Sequence, residues 1–280
     1  MNNKIVIVTG ADSGIGKATA TALAQKQYHV VMVSPNPQKG KTAQDEIIAL
    51  SNNKKVDFLL CDFASQEQVR QLAAKILEEY DKIDVLINNA GMLAKERVIT
   101  IDGYESTFAI NHLAPFLLTN LLLDRIKATP NSRIITLSSD GHRIVKKIDF
   151  DNLQAEKSFE KWHVYGLSKL CNIYFTTELA KRLKDTHVTA NSVHPGVVRT
   201  NFGNTSSRLV RWIIKIFGVF LRSPEKGAET SVFLADSENV AKISGKYFYD
   251  KRIYKTTELA KDVNIAKKIW ELSEQMVGLS

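Results

Sequence analysis

Short apolar runs alternate with longer stretches of helical period along most of the chain. Seven of the runs contain β-branched residues and are predicted as strands: Lys4–Thr9, His29–Val33, Val56–Leu60, Ile83–Ile87, Arg133–Ser138, Val188–His194 and Lys246–Tyr249. Their near-continuous apolar character is typical of parallel strands covered on both faces. The pattern predicts an α/β fold: a single Rossmann-type, doubly wound parallel sheet of about seven strands with helices on both faces.

No repeat, low-complexity tract or flexible linker divides the 280 residues, so one domain spanning residues 1–280 is predicted. One stretch, residues 197–223, interrupts the alternation and has a composition of its own. Ligands of doubly wound sheets lie beyond the carboxyl ends of the strands. We therefore expect residues 197–223, which follow a predicted strand, to cover a substrate.

The composition, with 44% hydrophobic and 24% charged residues, is that of an ordinary globular protein. The net charge of +8 favours anionic partners, but no nucleic-acid-reading motif accompanies it. Cys61 and Cys171 have no disulfide or metal spacing and are predicted as buried, reduced thiols, and the six histidines show no metal-ligand spacing. The first strand begins at Lys4, which leaves no room for a signal peptide or spanning helix and predicts a cytoplasmic protein.

A glycine-rich loop from Thr9 to Gly16 follows the first predicted strand and opens an alanine-rich helix. Glycines allow a tight turn there and let a pyrophosphate approach the helix N-terminus, where free N–H groups and the helix dipole favour anions. The alternative is a strand-to-helix turn without a ligand. A nucleoside triphosphate loop is excluded because Gly10 is one residue too far from Gly16-Lys17 and Ala18 replaces the magnesium-binding hydroxyl.

Tyr165 and Lys169 are four residues apart on a predicted helix, so both side chains project from one face. A nearby cation favours the phenolate, and the positive nicotinamide of an oxidised cofactor adds to this effect. We therefore expect a lowered tyrosine pKa and proton transfer near neutral pH. An isolated pair with this spacing is common on solvated helix surfaces, so the assignment depends on the motifs around it.

These motifs resemble the short-chain dehydrogenases/reductases along nearly the whole chain, and most of all the retinol dehydrogenase-like branch. The matching segments are the glycine loop, Cys61-Asp62, Asn88 to Gly91, Asn111 to Leu113, Ser138-Ser139, Tyr165 to Lys169, His194 to Val198, and the weaker tail motifs Ser244 to Phe248 and Trp270 to Ser273. The resemblance implies hydride transfer between a nicotinamide cofactor and an alcohol, aldehyde or ketone.

The resemblance also implies roles for individual residues. Tyr165 would be the general acid/base, Lys169 would bind the nicotinamide ribose, Ser139 would hold the substrate oxygen, and Asn111 would hold a relay water. Ser138 is the alternative to Ser139 because adjacent strand residues face opposite ways. The implied cofactor-binding residues are Gly10, Asp12, Ser13, Gly14, Ile15, Gly16, Ser34, Asp62, Phe63, Asn89, Ala90, Gly91, Tyr165, Lys169, Pro195, Gly196, Val198 and Thr200. No metal is implied.

The two simpler alternatives concern Asp62 and Asn111. Asp62 would otherwise be only the N-cap of the next helix, and Asn111 only a residue at a helix kink.

The second predicted strand ends without the acid that accepts the ribose 2′-hydroxyl of NAD. The arginine that the resembling branch carries at Pro35 is also missing, whereas Lys17, Lys39 and Lys41 supply positive charge. We therefore predict NADP(H), with NAD(H) as the alternative.

The stretch from Arg208 to Arg222 places four basic residues on one narrow helical stripe among apolar and aromatic residues. Three interpretations remain open: a lid over an apolar substrate, a helix at a membrane surface, and a helix in a subunit interface. Membrane-bound members of the branch usually carry an N-terminal apolar anchor, which this sequence lacks, so we expect any membrane contact to be peripheral.

The leading prediction is an oxidoreductase of an apolar alcohol or carbonyl, with a homo-oligomeric assembly as the resemblance implies. A reductase of another ketone is the second interpretation, and a catalytically silent dinucleotide-sensing scaffold is the third. A silent scaffold would have a damaged proton-transfer set, whereas Asn111, Ser139, Tyr165 and Lys169 are all present.

Overall fold

A computed structural model describes residues 4–197 and 222–279. In this part of the chain eight strands form one sheet with the order β3-β2-β1-β4-β5-β6-β7-β8. The strands are β1 Ile5–Thr9, β2 His29–Ser34, β3 Val56–Leu60, β4 Val85–Asn88, β5 Arg133–Leu137, β6 Thr189–Val193, β7 Tyr247–Tyr249 and β8 Arg252–Ile253. The first seven are parallel, which confirms the predicted fold class.

The eighth strand was not predicted. It has two exposed residues and pairs antiparallel with β7 after a turn in which Asp250 and Lys251 adopt φ of 49° and 61°. A two-residue strand is too short to produce an alternating hydrophobic pattern, so the sequence carries no periodic signal for it.

Helices cover both faces of the sheet. Those of eight or more residues in the described chain are α1 Gly14–Gln25, α2 Pro37–Ser51, α3 Gln66–Glu79, α4 Ala114–Ala128, α5 Lys161–Arg182, α6 Pro224–Asp236 and α7 Val263–Met276. A π-helical turn, Ala109–Leu113, leads directly into α4, and a 3-10 turn, Asp140–Ile144, follows β5.

Two apolar layers form the core, one on each face of the sheet. Ile7 and Val31 belong to the layer that also contains α3, α4 and α5 residues, whereas Val6, Val8 and Val30 belong to the layer with α1 residues. Successive residues of β1 are therefore buried on opposite faces, which explains its continuous apolar sequence. Each fully buried aliphatic side chain of this size contributes about 1.5–3 kcal/mol.

The segment Ser106–Ala128 is long and apolar enough to cross a membrane by length and composition. It lies instead inside the fold, with 78% of its most apolar window buried. Phe116, near the start of α4, is fully buried and packs edge-to-face on Trp270 of α7 with ring centroids 4.8 Å apart. Its apolar composition is thus explained by its place in the core.

The strand order reverses direction between β1 and β4, which are neighbours although β2 and β3 lie between them in sequence. From β1 the chain first builds outward through β2 and β3 and then returns to build the other half. A crevice forms at the carboxyl ends of the strands at such a reversal, and ligands of open α/β sheets bind there.

Candidate active site

A cavity of about 670 Å³ opens at this crevice. Fourteen of the residues predicted to bind a cofactor line it: Gly10, Asp12, Ser13, Gly14, Ile15, Gly16, Asp62, Phe63, Asn89, Ala90, Gly91, Tyr165, Lys169 and Pro195. Ser138, the alternative to Ser139, also lines the cavity, whereas Ser139 does not. Six apolar residues that the sequence did not predict complete the lining: Pro35, Met92, Leu93, Ile110, Leu137 and Pro224. These are apolar residues on loops and element ends, and apolar periodicity does not separate cavity-lining residues from core residues.

Two predicted cofactor residues in the described chain, Ser34 and Gly196, are not among the lining residues. Ser34 is fully buried, and its neighbour Pro35 reaches the cavity instead. Val198 and Thr200 lie outside the described residues, as does nearly all of the basic stripe, of which only Arg222 is described. Asp62 is not the N-cap of α3, since Ser65 caps that helix by accepting from the Gln68 amide.

The glycine loop is shaped by close backbone contacts. Gly10 and Gly14 adopt φ of 64° and 52°, a region that favours glycine. A Cβ atom on Gly16 would overlap the carbonyl oxygen of Gly10 and would lie 2.8 Å from its carbonyl carbon. Asn89 holds the loop from the end of β4, because its Nδ2 donates to Thr9 O at 2.7 Å and to Gly10 O at 3.1 Å.

The N-terminus of α1 faces the cavity without a capping side chain. Ser13 is at the N-cap position but makes no side-chain cap, and the first turn contains no acidic residue. In the described chain, by contrast, a side chain caps the first turn of each other long helix that follows a loop: Asn36, Ser65, Glu160, Ser223 and Asp262. The free N–H groups and the dipole of α1 therefore suit a pyrophosphate, so this loop fits a dinucleotide.

The end of β2 carries a carboxylate that the strand itself does not contain. Ser34 Oγ donates to Asp12 Oδ2 at 2.9 Å, so the acid comes from the glycine loop. Two of the lysines expected to supply positive charge are engaged elsewhere, since Lys17 pairs with Glu46, and Lys41 Nζ lies 3.1 Å from Asp45. The net positive charge near the end of β2 is therefore smaller than the sequence predicted, because an acid is present and two of the three lysines are paired with acids.

Tyr165 and Lys169 line the other end of the cavity, and Ser139, which does not line it, hydrogen-bonds the Tyr165 phenol. Lys169 Nζ lies 5.7 Å from the centroid of the Tyr165 ring, as expected for residues one turn apart on α5. Burial lowers the pKa of Lys169 to about 8. Burial also raises the pKa of Tyr165, and a hydrogen bond with Ser139 acts in the opposite direction. The predicted lowering of the tyrosine pKa is not present in the protein alone, because desolvation of the phenolate outweighs the hydrogen bond.

The two adjacent serines have different surroundings. Ser138 is 2% exposed, and its hydroxyl donates to the main-chain oxygen of Lys169 at 2.7 Å. Ser139 caps the 3-10 turn by accepting from the Gly141 amide, and its hydroxyl is the one that hydrogen-bonds the Tyr165 phenol. Ser138 thus ties β5 to α5, whereas Ser139 is available at the phenol.

Asn111 lies in the π-helical turn, and π turns occur often at functional sites. Its Oδ1 accepts from the Met92 amide at 2.7 Å, and its Nδ2 donates to Met92 O at 2.9 Å and to Ser168 Oγ at 3.0 Å. A Cβ atom on Gly91 would lie 3.1 Å from Asn111 Oδ1 and 3.3 Å from Lys169 Nζ. The glycine therefore lets both groups lie against the loop after β4.

No group of three or more His, Cys, Asp or Glu residues suited to hold a metal ion occurs within residues 4–197 and 222–279. Cys61 and Cys171 are both buried and free, as predicted. Burial raises the pKa of the Cys61 thiol to about 12.

A doubly wound sheet, an uncapped glycine loop at its reversal point, and a tyrosine, serine and lysine in the same cavity define a dinucleotide-dependent oxidoreductase. The short chain dehydrogenase family model matches residues 4–209, and the chain belongs to this family. It is similar to retinol dehydrogenase 11 of Mus musculus, with 41% identity covering 99% of this chain and 87% of that protein. Human retinol dehydrogenase 13 is 40% identical, with coverage of 99% and 85%.

Solved structures show the same fold. An uncharacterized protein of Mycobacterium paratuberculosis has a TM-score of 0.79 at 29% identity, covering 98% of this chain and 93% of that one. A candidate short chain dehydrogenase of Escherichia coli, solved in complex with NADPH, has a TM-score of 0.69 at 21% identity and shares the fold, covering 89% and 96%. The protein is therefore an NAD(P)-dependent oxidoreductase of the retinol dehydrogenase-like branch.

Proposed function

We propose that this enzyme transfers a hydride between NADP(H) and an apolar alcohol, aldehyde or ketone, with Tyr165 exchanging the proton of the substrate oxygen. The observation that carries the proposal is the hydrogen bond between Ser139 and the phenol of Tyr165, which lines the same cavity as the glycine loop. The two hydroxyls together can hold one substrate oxygen, which is what proton transfer to or from that oxygen requires.

The cofactor, when bound, supplies the hydride or accepts it. The residues of the glycine loop and the N-terminus of α1 would hold its pyrophosphate, and Asn89 to Gly91 would shape the adenosine end. Lys169 would contact the nicotinamide ribose. Its ammonium, together with the charge of an oxidised nicotinamide, favours the Tyr165 phenolate and opposes the desolvation that raises the phenol pKa in the protein alone. Asn111 would hold a relay water beside Lys169.

The apolar substrate is supported by exposed side chains on the segments that carry the site. Trp162 is one turn before Tyr165 on α5, Ile144 ends the 3-10 turn after Ser139, and Val197 follows Pro195-Gly196. They are 49%, 46% and 66% exposed, respectively. These three side chains are not among the residues that line the cavity, whose own apolar lining includes Met92, Leu93 and Leu137. Retinol dehydrogenases are named for a long apolar alcohol, and a similar substrate suits that apolar lining.

A panel of alcohols and carbonyls tests the substrate class. We expect kcat/KM for all-trans-retinal and long-chain aldehydes to exceed that for short polar carbonyls by about 10²-fold, since each buried methylene contributes about 0.8 kcal/mol. Initial rates with NADPH and NADH give the values. Turnover restricted to sugars or hydroxy acids would contradict the proposal, and turnover restricted to compact ketones would support the second interpretation.

The preference for NADP rests on the missing acid in β2 and on Lys39 in the first turn of α2. Asp12 opposes it, because its carboxylate meets Ser34 at the end of β2. We therefore propose that NADPH is preferred by only a small factor.

The variant Asp12→Asn tests this balance. Removing the charge without changing the shape should raise kcat/KM for NADPH by about tenfold, about 1.4 kcal/mol, and leave kcat/KM for NADH nearly unchanged. Asp45→Asn is the control, because it removes an equal charge from an exposed ion pair on α2. An unchanged ratio of the two kcat/KM values in Asp12→Asn would show that Asp12 is not near the 2′ position.

We propose one catalytic domain over residues 1–280, with residues 197–223 covering the substrate. The amide of Arg222 donates to Val197 O at 2.9 Å, so the two described ends of this stretch meet beside Gly196. We also propose a cytoplasmic, homo-oligomeric enzyme with peripheral membrane contact through residues 208–222.

A further inference from the structure

A line of buried polar side chains joins the C-terminal helix to the active-site lysine. Ser273 is on α7, His112 follows Asn111 in the π turn, and Asn172 is three residues beyond Lys169 on α5. Ser273, His112 and Asn172 are at most 1% exposed. His112 Nε2 lies 2.9 Å from Ser273 Oγ, and His112 Nδ1 lies 3.2 Å from Asn172 Oδ1.

The amide of Asn172 holds two main-chain oxygens of the site. Its Nδ2 donates to Asn111 O and to Leu137 O, each at 2.9 Å. Leu137 O, at the end of β5, also accepts from Lys169 Nζ at 3.2 Å. Asn172 therefore connects the π turn that carries Asn111 to the oxygen that the lysine ammonium contacts.

The hydrogen-bond pattern fixes how Asn172 and His112 are oriented. Because the amide nitrogen of Asn172 faces two acceptors, its oxygen must face the histidine, and the histidine proton must be on Nδ1. Burial lowers the pKa of His112 to about 4, so the ring is neutral at pH 7 and Nε2 is an acceptor. Ser273 Oγ lies 2.9 Å from Nε2, but its single proton is donated to Ile269 O at 2.7 Å, so the hydroxyl must turn from Ile269 O to donate to the histidine. One neutral ring thus has a partner on each nitrogen.

We propose that Asn172 is a positioning residue for proton transfer, and that His112 and Ser273 hold its amide in the working orientation. The proposal rests on the proposed function, because it assigns to Asn172 the placement of Lys169 and Asn111 for that chemistry. Displacements of about 1 Å at a reacting centre cost up to about 10²-fold in rate. Holding both main-chain oxygens from one amide is therefore a direct way to preserve the geometry.

The full-length variant Asn172→Ala tests the placement. We expect kcat to fall at least tenfold, with a smaller change in KM for the dinucleotide. Without the Asn172 donor, Leu137 O accepts more strongly from the Lys169 ammonium, so the pKa of Lys169 rises and the high-pH limb of the kcat profile moves to higher pH. Within residues 4–197 and 222–279, Tyr165 and His112 are titratable groups that lie near this lysine.

Thr176→Val is the matched control. Thr176 is on the same helix, is 2% exposed, and its hydroxyl donates to Asn172 O at 2.8 Å without entering the line of side chains. This variant should lose stability while it keeps kcat and the high-pH limb. The proposal is overturned if the high-pH limb of the kcat profile lies at the same pH in Asn172→Ala, Thr176→Val and the wild type. A purely structural defect lowers stability without moving that limb.

Ser273→Ala keeps the test decisive if Asn172→Ala does not fold. Ser273→Ala should lower kcat by a smaller factor than Asn172→Ala. Ser273→Thr keeps a hydroxyl at this position and should have a kcat close to that of the wild type. Wild-type kcat in Ser273→Ala would contradict the part assigned to α7. The proposed function fails separately: it is contradicted if Tyr165→Phe keeps its turnover, whatever the Asn172 variants do.

Discussion

Replacing Tyr165 with Phe is expected to lower kcat by about 10²–10⁴-fold, the usual contribution of a general acid/base. The substitution removes only the hydroxyl, which is the group that hydrogen-bonds Ser139 and faces the substrate oxygen in the proposed chemistry. The glycine loop and Lys169 are unchanged, so the dissociation constant for the dinucleotide should stay close to the wild-type value. Steady-state rates and quenching of tryptophan fluorescence by the dinucleotide measure the two quantities.

Tyr174→Phe provides the comparison for this variant. Tyr174 is on the same helix and fully buried, and its hydroxyl donates to Leu259 O at 2.6 Å. Losing that bond should cost about 1 kcal/mol of unfolding free energy and leave turnover intact. Near-wild-type turnover in Tyr165→Phe would refute the mechanism, and equal losses in both variants would indicate general damage to α5.

Gly16→Ala is expected to produce the second large effect, on stability and dinucleotide binding together. The added methyl group would overlap Gly10 O and lie 2.8 Å from the Gly10 carbonyl carbon, and neither atom belongs to a flexible side chain. The glycine loop must therefore move away from α1, at a cost of about 3 kcal/mol or more. Because the moved loop is the proposed pyrophosphate site, the dinucleotide dissociation constant should rise at least tenfold. Urea unfolding and fluorescence titration measure the two losses.

Gly103→Ala separates the clash from the general cost of replacing a glycine. Gly103 adopts φ of 86°, and an added Cβ would meet nothing within 4 Å. We expect a cost of about 1–2 kcal/mol from backbone strain and no change in dinucleotide binding. Gly16→Ala with wild-type stability and affinity would contradict the packing of the loop against Gly10.

Much of the fold was predictable from local sequence. The alternation of apolar runs with helical stretches predicted β1 to β7 because both faces of each parallel strand are buried, which leaves a continuous apolar signal. The glycine loop was predictable because a tight strand-to-helix turn requires glycine at fixed positions. The antiparallel β8 was not, because a pair of exposed residues carries no periodic pattern.

Parts of the candidate site were predictable for the same local reason. Tyr165 and Lys169 are one helical turn apart, so their common face follows from the helix itself. Ser138 and Ser139 show the limit of this reasoning. Alternation along a strand places the two on opposite sides, but only packing against α5 identifies Ser138 as the one that bonds Lys169 O and Ser139 as the one at the phenol.

The sequence by itself thus determined the α/β class, the dinucleotide loop and the Tyr165–Lys169 spacing, because each depends on residues within one turn or one strand-to-helix junction. Only the tertiary structure decided which distant groups meet. Asp12 reaches Ser34 across 22 residues of sequence, and His112 reaches Ser273 across 161. Such contacts depend on how the crossovers stack strands and helices, and a carboxylate or hydroxyl leaves no periodic signal of its distant partner. The acid at the end of β2 and the line from α7 to Lys169 are therefore products of the fold.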